Sequence, residues 1–378
     1  MNPRLRKLLG RSRPTRAAVD ALLQGNEFPL IDGGEATFVW RGHADAVILR
    51  HFIFGLETDC AFHRVPGTDL WHISLDLPRN SRIEYKFDVV EHGRHHWIRD
   101  PYNPRHATDP FGANSVCATD GYQVPDWVQA DPEARCGTLQ DIEIAETPFG
   151  EPRRVTVYTP ARFRPSRRYP LLVVHDGGDY LRFAALQAVL DNLIHRGEVQ
   201  PLIVALTHPG NRLVEYPNDD RHTSFIAETV LPLLEARFPL FPDPASRVLM
   251  GASFGGVASL SVAWRYPGLF GGILSQSGSF AFTDIGNHKR GPAFDPVVRF
   301  VNAFREKPGQ PVARAFLSCG QYESLIYENR SMVPFLQRIG IAVRYTEARD
   351  GHNWENWRDR LQEGLSWLFP GPLWMVYE

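Results

Sequence analysis

From about Gly137 onward the chain alternates short apolar strand-like runs with helical segments, and this alternation most limits what it can fold into. Strand candidates lie at 155–158, 170–174, 202–206, 248–250, 272–274, 315–317 and 343–345, with helical patterns between them at 223–238 and 257–266. Strand cores that are apolar throughout must be covered on both faces, which calls for a mostly parallel sheet between two helix layers, an α/β architecture. Ligands of such sheets bind beyond the carboxyl ends of the strands.

The preceding half has a different texture. Phe38-Val39-Trp40, Ala46 to Arg50, Trp71 to Leu75 and Ile83 to Asp88 are short alternating runs separated by Gly, Pro, Asp and Asn. Even spacing with such punctuation predicts an antiparallel β-sandwich. Four parts result: a basic segment at 1–29, a sandwich at 30–117, a proline-bearing linker at 118–136, and the α/β part at 137–378.

Net charge is −2 over 378 residues, so the chain as a whole has no attraction for nucleic acid or an anionic membrane. Arg4, Arg6, Lys7, Arg11, Arg13 and Arg16 precede the first acid, Asp20, and the expectation is a solvated arm. Only Leu8-Leu9 follow this basic region before Gly10, too short for a secretory signal. No apolar run reaches the ~18 residues that span a bilayer. Four widely spaced cysteines match neither a zinc pattern nor a Cys-x-x-Cys pair. The expected address is cytoplasmic. His92, His95, His96 and His106 could suggest a metal site. Adjacent His95 and His96 point oppositely on a strand, which favours a solvated hairpin.

Gly251-Ala252-Ser253-Phe254-Gly255 stands between a strand-like run and a helix-like one. That is the pattern of a nucleophile elbow, a sharp strand-to-helix turn that raises a serine hydroxyl above a sheet. Its glycines keep side chains out of the crowded turn. A pentapeptide match is short enough to arise as a turn with an idle serine, so its partners decide. The serine needs a base, and the base needs an orienting acid. His352 follows the last strand candidate, where it can face the carboxyl edge; His288 lies in a polar loop and His222 upstream. Glu323, three residues past Gly320 after the 315–317 run, is the expected acid, with Asp284, Asp295 and Asp350 as alternatives. The oxyanion donors should be the N–H of Phe254 and one from the turn after 170–174, for which Gly178 is the choice.

His-Asp-Gly-Gly-Asp-Tyr at 175–180, Arg212-Leu213-Val214-Glu215-Tyr216, Gly-Ala-Ser-Phe-Gly-Gly at 251–256, Ser275 to Phe280 and Gly351-His352-Asn353-Trp354 stand in one order along the chain. In these motifs residues 137–370 resemble the putative esterase family of α/β-hydrolases, which includes enterochelin esterases, feruloyl and acetyl esterases and mycolyltransferases. Residues 30–117 look like the immunoglobulin-like domain that precedes the catalytic domain in enterochelin esterases, through Phe38-Val39-Trp40, Arg64 to Trp71, Tyr85-Lys86-Phe87 and Asp100 to Pro104. The resemblance implies Ser253 as nucleophile, His352 as base, Glu323 as acid and Gly178 with Phe254 as oxyanion donors. It offers Arg212, Glu215, Tyr216, Arg221 and Trp354 as substrate-binding residues. Many relatives carry an acidic residue after the histidine, where this chain has Asn353.

The reaction expected from these residues is ester hydrolysis through an acyl-enzyme, with no cofactor and no metal. Its partner is a small-molecule ester, a ferric catecholate siderophore among the candidates. Arg212, Arg221 and His222 could meet its negative charge, the structural alternative being an Arg212–Glu215 pair bracing the loop. A carbohydrate-linked acyl ester is the second reading, with Trp40, Trp71 and Trp97 either stacking on sugar rings or packing in the sandwich core. A non-catalytic binding protein is the third. Oligomeric state is not legible.

Overall fold

All four residues of the strand Leu171–Val174 are buried, Leu171 and Val173 in one apolar cluster and Leu172 and Val174 in another. Side chains alternate across a strand, so a run apolar at every position needs cover on both faces. A computed structural model, which describes residues 3–10, 14–57, 59–283 and 289–372, supplies that cover. The sheet has eight strands in the order Thr138–Ile144, Arg153–Thr159, Ile203–Thr207, Leu171–Val174, Arg247–Ala252, Gly272–Gln276, Arg314–Gly320 and Ala342–Ala348. Its first two joints are antiparallel and the joints from Ile203–Thr207 to Arg314–Gly320 are parallel. Helices Leu231–Arg237, Phe254–Arg265 and Asp295–Glu306 pack on one face, and Leu186–His195 and Leu361–Leu368 on the other. This is the mostly parallel sheet between two helix layers expected from the alternation.

The chain divides into two compact units. One comprises residues 1–124 with the short segments Gly320–Ser324 and Ala348–Asn353; the other holds the remainder. The division differs from the one drawn along the sequence, because two loops that follow sheet strands belong with the N-terminal residues.

Within the first unit, two antiparallel sheets enclose Phe38, Trp40 and Ile73 from one and Val47, Leu49, Tyr85 and Phe87 from the other. Trp40 and Trp71 are buried there, which removes them as sugar-stacking surfaces. The basic segment is not a solvated arm. It forms helices Pro3–Leu9 and Arg16–Gln24, whose Leu5, Val19 and Leu22 pack with Val39 and Leu70. The Thr15 hydroxyl caps the second helix by accepting the Ala18 N–H. Arg11 and Arg13 lie outside the described residues.

The segments 320–324 and 348–353 are tied to this sandwich through Arg82, a residue 1% exposed at the start of the strand Arg82–Glu91. Its guanidinium donates to Asp350 at 3.2 Å, Asn353 at 3.0 Å and Glu84 at 3.0 Å. The backbone adds Arg82 N–H to the Arg349 carbonyl and Phe54 N–H to the Tyr322 carbonyl, and the Ser81 and Tyr322 hydroxyls meet at 2.6 Å. Burial pushes the Asp350 carboxyl up to about 6 against the pull of Arg82. Both Asp350 and Glu84 draw on that guanidinium, so the opposing charge is shared. Removing Arg82 leaves two buried carboxylates uncompensated, a loss of about 3–5 kcal/mol. Arg82→Ala should lower unfolding free energy in urea by that order. Adding Glu84→Gln and Asp350→Asn should recover part of it, and no recovery would show that the ion network is not the source.

Candidate active site

Ser253 stands between the strand Arg247–Ala252 and the helix Phe254–Arg265 with φ +57° and ψ −120°, a backbone that side-chain-bearing residues avoid. The neighbouring glycines make it possible. A Cβ on Gly251 would lie 2.4 Å from the Gly255 carbonyl, and one on Gly256 would lie 2.5 Å from the Ser275 hydroxyl. The Ser253 N–H donates to the Gln276 carbonyl at 2.9 Å, and its carbonyl accepts from Gly256 and Ser279 at 3.1 Å each. Its Oγ lies 3.2 Å from the Ser279 Oγ. The sequence pattern thus has the geometry of a nucleophile elbow.

Phe254 and Gly178 both occupy the first turn of a helix that follows a sheet strand, and the two strands, Arg247–Ala252 and Leu171–Val174, are parallel neighbours. Helix N-termini leave backbone donors without intrahelical acceptors. Among the described residues neither the Phe254 nor the Gly178 N–H has an acceptor. Both are therefore open to an anion.

Arg212 clamps these two turns together. Its Nε donates to both Asp176 oxygens at 2.9 Å and its Nη2 to the Ala252 carbonyl at 3.1 Å. Burial pushes the Asp176 carboxyl up while the Arg212 guanidinium pulls it down. Glu215 does not pair with Arg212 as the bracing alternative had it. Its Oε1 takes Arg153 at 2.8 Å with the N–H groups of Gly210 and Asn211 at 3.0 and 2.8 Å. Buried Tyr216 uses its hydroxyl to accept the Asp176 N–H at 3.0 Å. Glu215 and Tyr216 thus hold the loop in place rather than offer a ligand surface.

In the sandwich unit, Glu323 is buried and accepts the Gly320 N–H at 2.6 Å through Oε1. Its Oε2 lies 2.6 Å from Nδ1 of His352. A carboxylate on Nδ1 fixes the ring and supports a proton on that nitrogen, which leaves Nε2 as the basic one. Asp350 is spent on Arg82, Asn353 and the Gly351 N–H. Asp295 opens the helix Asp295–Glu306, and Asp284 and His288 lie outside the described residues. Glu323 is the acid that stands on a histidine.

Other candidates leave the site. Trp354 packs edge-on against Tyr180 and Trp357 in the core. Exposed Arg221 forks onto Asp219, two residues away. His222 is enclosed, and burial holds its pKa well below the ordinary value, so the structure does not favour it as a source of positive charge. Sequence reasoning missed Arg82 and Arg153, which reach Asp350 and Glu215 across long stretches of the chain. The signal that existed was a charged residue at the head of an apolar-alternating strand.

His175 and His222 lie side by side, ring centroids 5.1 Å apart. Burial carries the His175 pKa down to about 4, resisted by the Met250 carbonyl and aided by the Arg212 charge. Burial, then His175, then Arg153, hold His222 well below its ordinary value. An unfolded histidine titrates near ~6.5. Between pH 6.5 and about 4 the unfolded chain takes protons that folded His175 refuses, so stability falls as pH drops through that window. At pH 5 His175 alone should withdraw about 2 kcal/mol. His222→Gln should make the fall shallower, read as urea midpoints at pH 7 and pH 5; identical slopes would refute it.

Comparison with known proteins places this geometry. The profile of the family described as Putative esterase matches residues 147–368, and that described as Enterochelin esterase, N-terminal matches 35–127. The Iron(III) enterobactin esterase of Escherichia coli O6:H1 is 27% identical over 337 residues, covering 81% of this chain and 80% of that one. Its counterpart in Dickeya dadantii is 25% identical over 362 residues, covering 82% and 79%. A crystal structure of the enterochelin esterase from Shigella flexneri superposes with a TM-score of 0.72 at 22% identity, over 92% of this chain and 97% of that one. A ferulic acid esterase superposes with a TM-score of 0.54 at 18% identity, over 62% and 98%. The chain belongs to the putative esterase family, with an N-terminal domain of the enterochelin esterase kind.

Proposed function

We propose that this chain is a serine esterase that hydrolyses the ester bonds of a catecholate siderophore. The observation that carries the serine mechanism is the Glu323–His352 contact at 2.6 Å, in a family member whose elbow serine has the strained backbone of a nucleophile. The substrate class rests on the relatives, which are esterases of iron(III) enterobactin and match this chain across both parts. The feruloyl esterase likeness covers a smaller share of the chain, and the burial of Trp40 and Trp71 removes two of the three tryptophans that favoured a sugar ester.

In this reading His352 takes the proton from the Ser253 hydroxyl as Oγ attacks the ester carbonyl. The Phe254 and Gly178 N–H groups receive the oxyanion, a preorganised interaction worth several kcal/mol in the transition state. Glu323 stabilises the imidazolium, which then protonates the leaving alcohol. Water repeats the sequence on the acyl-enzyme and frees the acid. Arg212 acts by holding the two donor turns.

Ser253→Ala should lower kcat by roughly 10⁶, by the scale known for a triad nucleophile, and abolish labelling by a fluorophosphonate. A panel of ferric and iron-free enterobactin-type trilactones against acetylated and feruloylated sugars tests the substrate. Release of dihydroxybenzoylserine without sugar-ester turnover is the expected result. Full activity in Ser253→Ala, or turnover confined to sugar esters, would sink the reading.

A further inference from the structure

Between residues 162 and 168 four of seven positions are arginine, a density of charge that the esterase chemistry does not use. Three of them, Arg162, Arg164 and Arg167, line with Arg135 a cavity of about 790 Å³ in the unit that holds the eight-stranded sheet. Its position separates it from Ser253. Tyr169 and Pro201, which also line it, precede the strands Leu171–Val174 and Ile203–Thr207, so the cavity lies at the amino ends of the parallel strands. Ser253 follows the carboxyl end of Arg247–Ala252 in the same parallel set. The two stand at opposite ends of the sheet.

The cations are held out rather than paired. Phe163 anchors their loop, with its ring 5.2 Å from that of Tyr169 and packed against the core. The Tyr169 hydroxyl accepts the Arg164 N–H at 2.9 Å, and the Phe163 N–H donates to the Pro160 carbonyl at 3.1 Å. Inside that turn Arg162 takes φ +59°, a left-handed backbone that side-chain-bearing residues seldom adopt. Among the described residues the guanidinium groups of Arg135, Arg162 and Arg164 have no hydrogen-bond or ion-pair partner, and that of Arg167 has only the Tyr169 ring at 5.7 Å. Arg168, by contrast, spends its guanidinium on the Leu240 carbonyl.

Two carboxylates share the cavity. Asp191 is buried, and its Oδ1 already accepts the Tyr158 hydroxyl and the Gly137 N–H at 2.7 Å each. Glu133 is exposed, and its carboxylate is free among the described residues. Like charges gathered on one concave wall repel one another, and an anion that bridges them removes that cost. Guanidinium forks match the paired oxygens of phosphate groups. A single phosphate would leave most of the cavity empty, whose volume is in the range of small-molecule sites. With the chain's net charge at −2, an extended polyanion such as nucleic acid gains no attraction beyond the cavity itself. Glu133 adds an acceptor that calls for a donor on the ligand.

We propose that this cavity binds a small organic polyphosphate of nucleoside triphosphate size. Its phosphates lie on Arg135, Arg162, Arg164 and Arg167, and a hydroxyl or amino group of its organic part donates to Glu133. Binding here is independent of the esterase reading, because the cavity shares no residue with the surroundings of Ser253, His352 or Glu323.

Isothermal titration of the full chain with adenosine triphosphate, inorganic triphosphate and adenosine, in magnesium-free buffer, tests it. Adenosine triphosphate should bind most tightly, inorganic triphosphate about threefold more weakly, and adenosine not measurably. Affinity for both phosphate compounds should fall steeply as salt is raised. The double variant Arg162→Ala, Arg164→Ala should weaken both by about tenfold or more, with a melting temperature in the absence of ligand that matches the parent's. Glu133→Ala should remove the preference for adenosine triphosphate while leaving inorganic triphosphate at least as tight, because a repelling carboxylate is gone. No binding of either phosphate compound to the parent, equal affinity of the two, adenosine as tight as adenosine triphosphate, or unchanged affinities in both variants would each overturn the site.

Discussion

A guanidinium that is 1% exposed has no water to fall back on, and its anions must be brought to it. For Arg82 they are Glu84, on its own strand, and Asp350, 268 residues away. Its third acceptor is the Asn353 side-chain oxygen. Asp350 and Asn353 flank Gly351 and His352, so satisfying Arg82 fixes the loop that carries His352. The Glu323 loop is tied beside it by the Ser81–Tyr322 hydroxyl contact, one residue before Glu323. An ion network of this kind gains little net stability over apolar packing, since desolvation consumes most of the attraction. Its worth lies in geometry: few other placements of the 348–353 segment would leave no buried charge stranded.

The nucleophile turn is held by a different economy. Positive φ at Ser253 costs about 1–3 kcal/mol, and a turn tight enough to need Gly251 and Gly256 has no slack to relax it. The Ser253 N–H donating to the Gln276 carbonyl, and the Ser279 and Gly256 N–H groups donating to the Ser253 carbonyl, over-determine the Ser253 backbone. Arg212 then ties the Ala252 carbonyl to Asp176, and Asp176 is itself steadied by the Tyr216 hydroxyl on its N–H. The family motif around Arg212 therefore reads as scaffold. Its Nε and Nη2 hold the turns that carry the Phe254 and Gly178 donors, and a lysine could not make both contacts from one planar group.

How much of this was legible follows from how far each partner lies along the chain. The α/β sheet was visible because its signal is local: apolar strand runs and helical periods recur every few tens of residues. The tight turn at Ser253 was visible because such a turn needs glycines at fixed offsets, and the loop position of Glu323 because it follows a strand and a glycine. The placement of Glu215, Trp354 and His222 was not. Each sits in a motif that looks exposed and functional, yet each is buried by residues distant in sequence: Arg153 for Glu215, Tyr180 for Trp354, His175 for His222. The basic N-terminus misled for a related reason. Charge set its composition, while Leu5, Val19 and Leu22 set its packing.

One strand shows why such partners resist prediction. In Arg82–Glu91 the odd positions Ile83, Tyr85, Phe87 and Val89 enter the sandwich core, as strict alternation requires. The even positions Arg82, Glu84, Lys86 and Asp88 form a row of alternating charge on the other face. From sequence that row reads as a solvated face. In the structure Arg82 holds the loop that carries His352, Glu84 balances it, Asp88 is fully buried beneath Arg50 and His95, and Lys86 alone of the four is left unpaired among the described residues. Four charges two residues apart thus have four different environments. What separates them is the identity of the strand or loop laid across each position, a property of the tertiary fold that no local pattern carries.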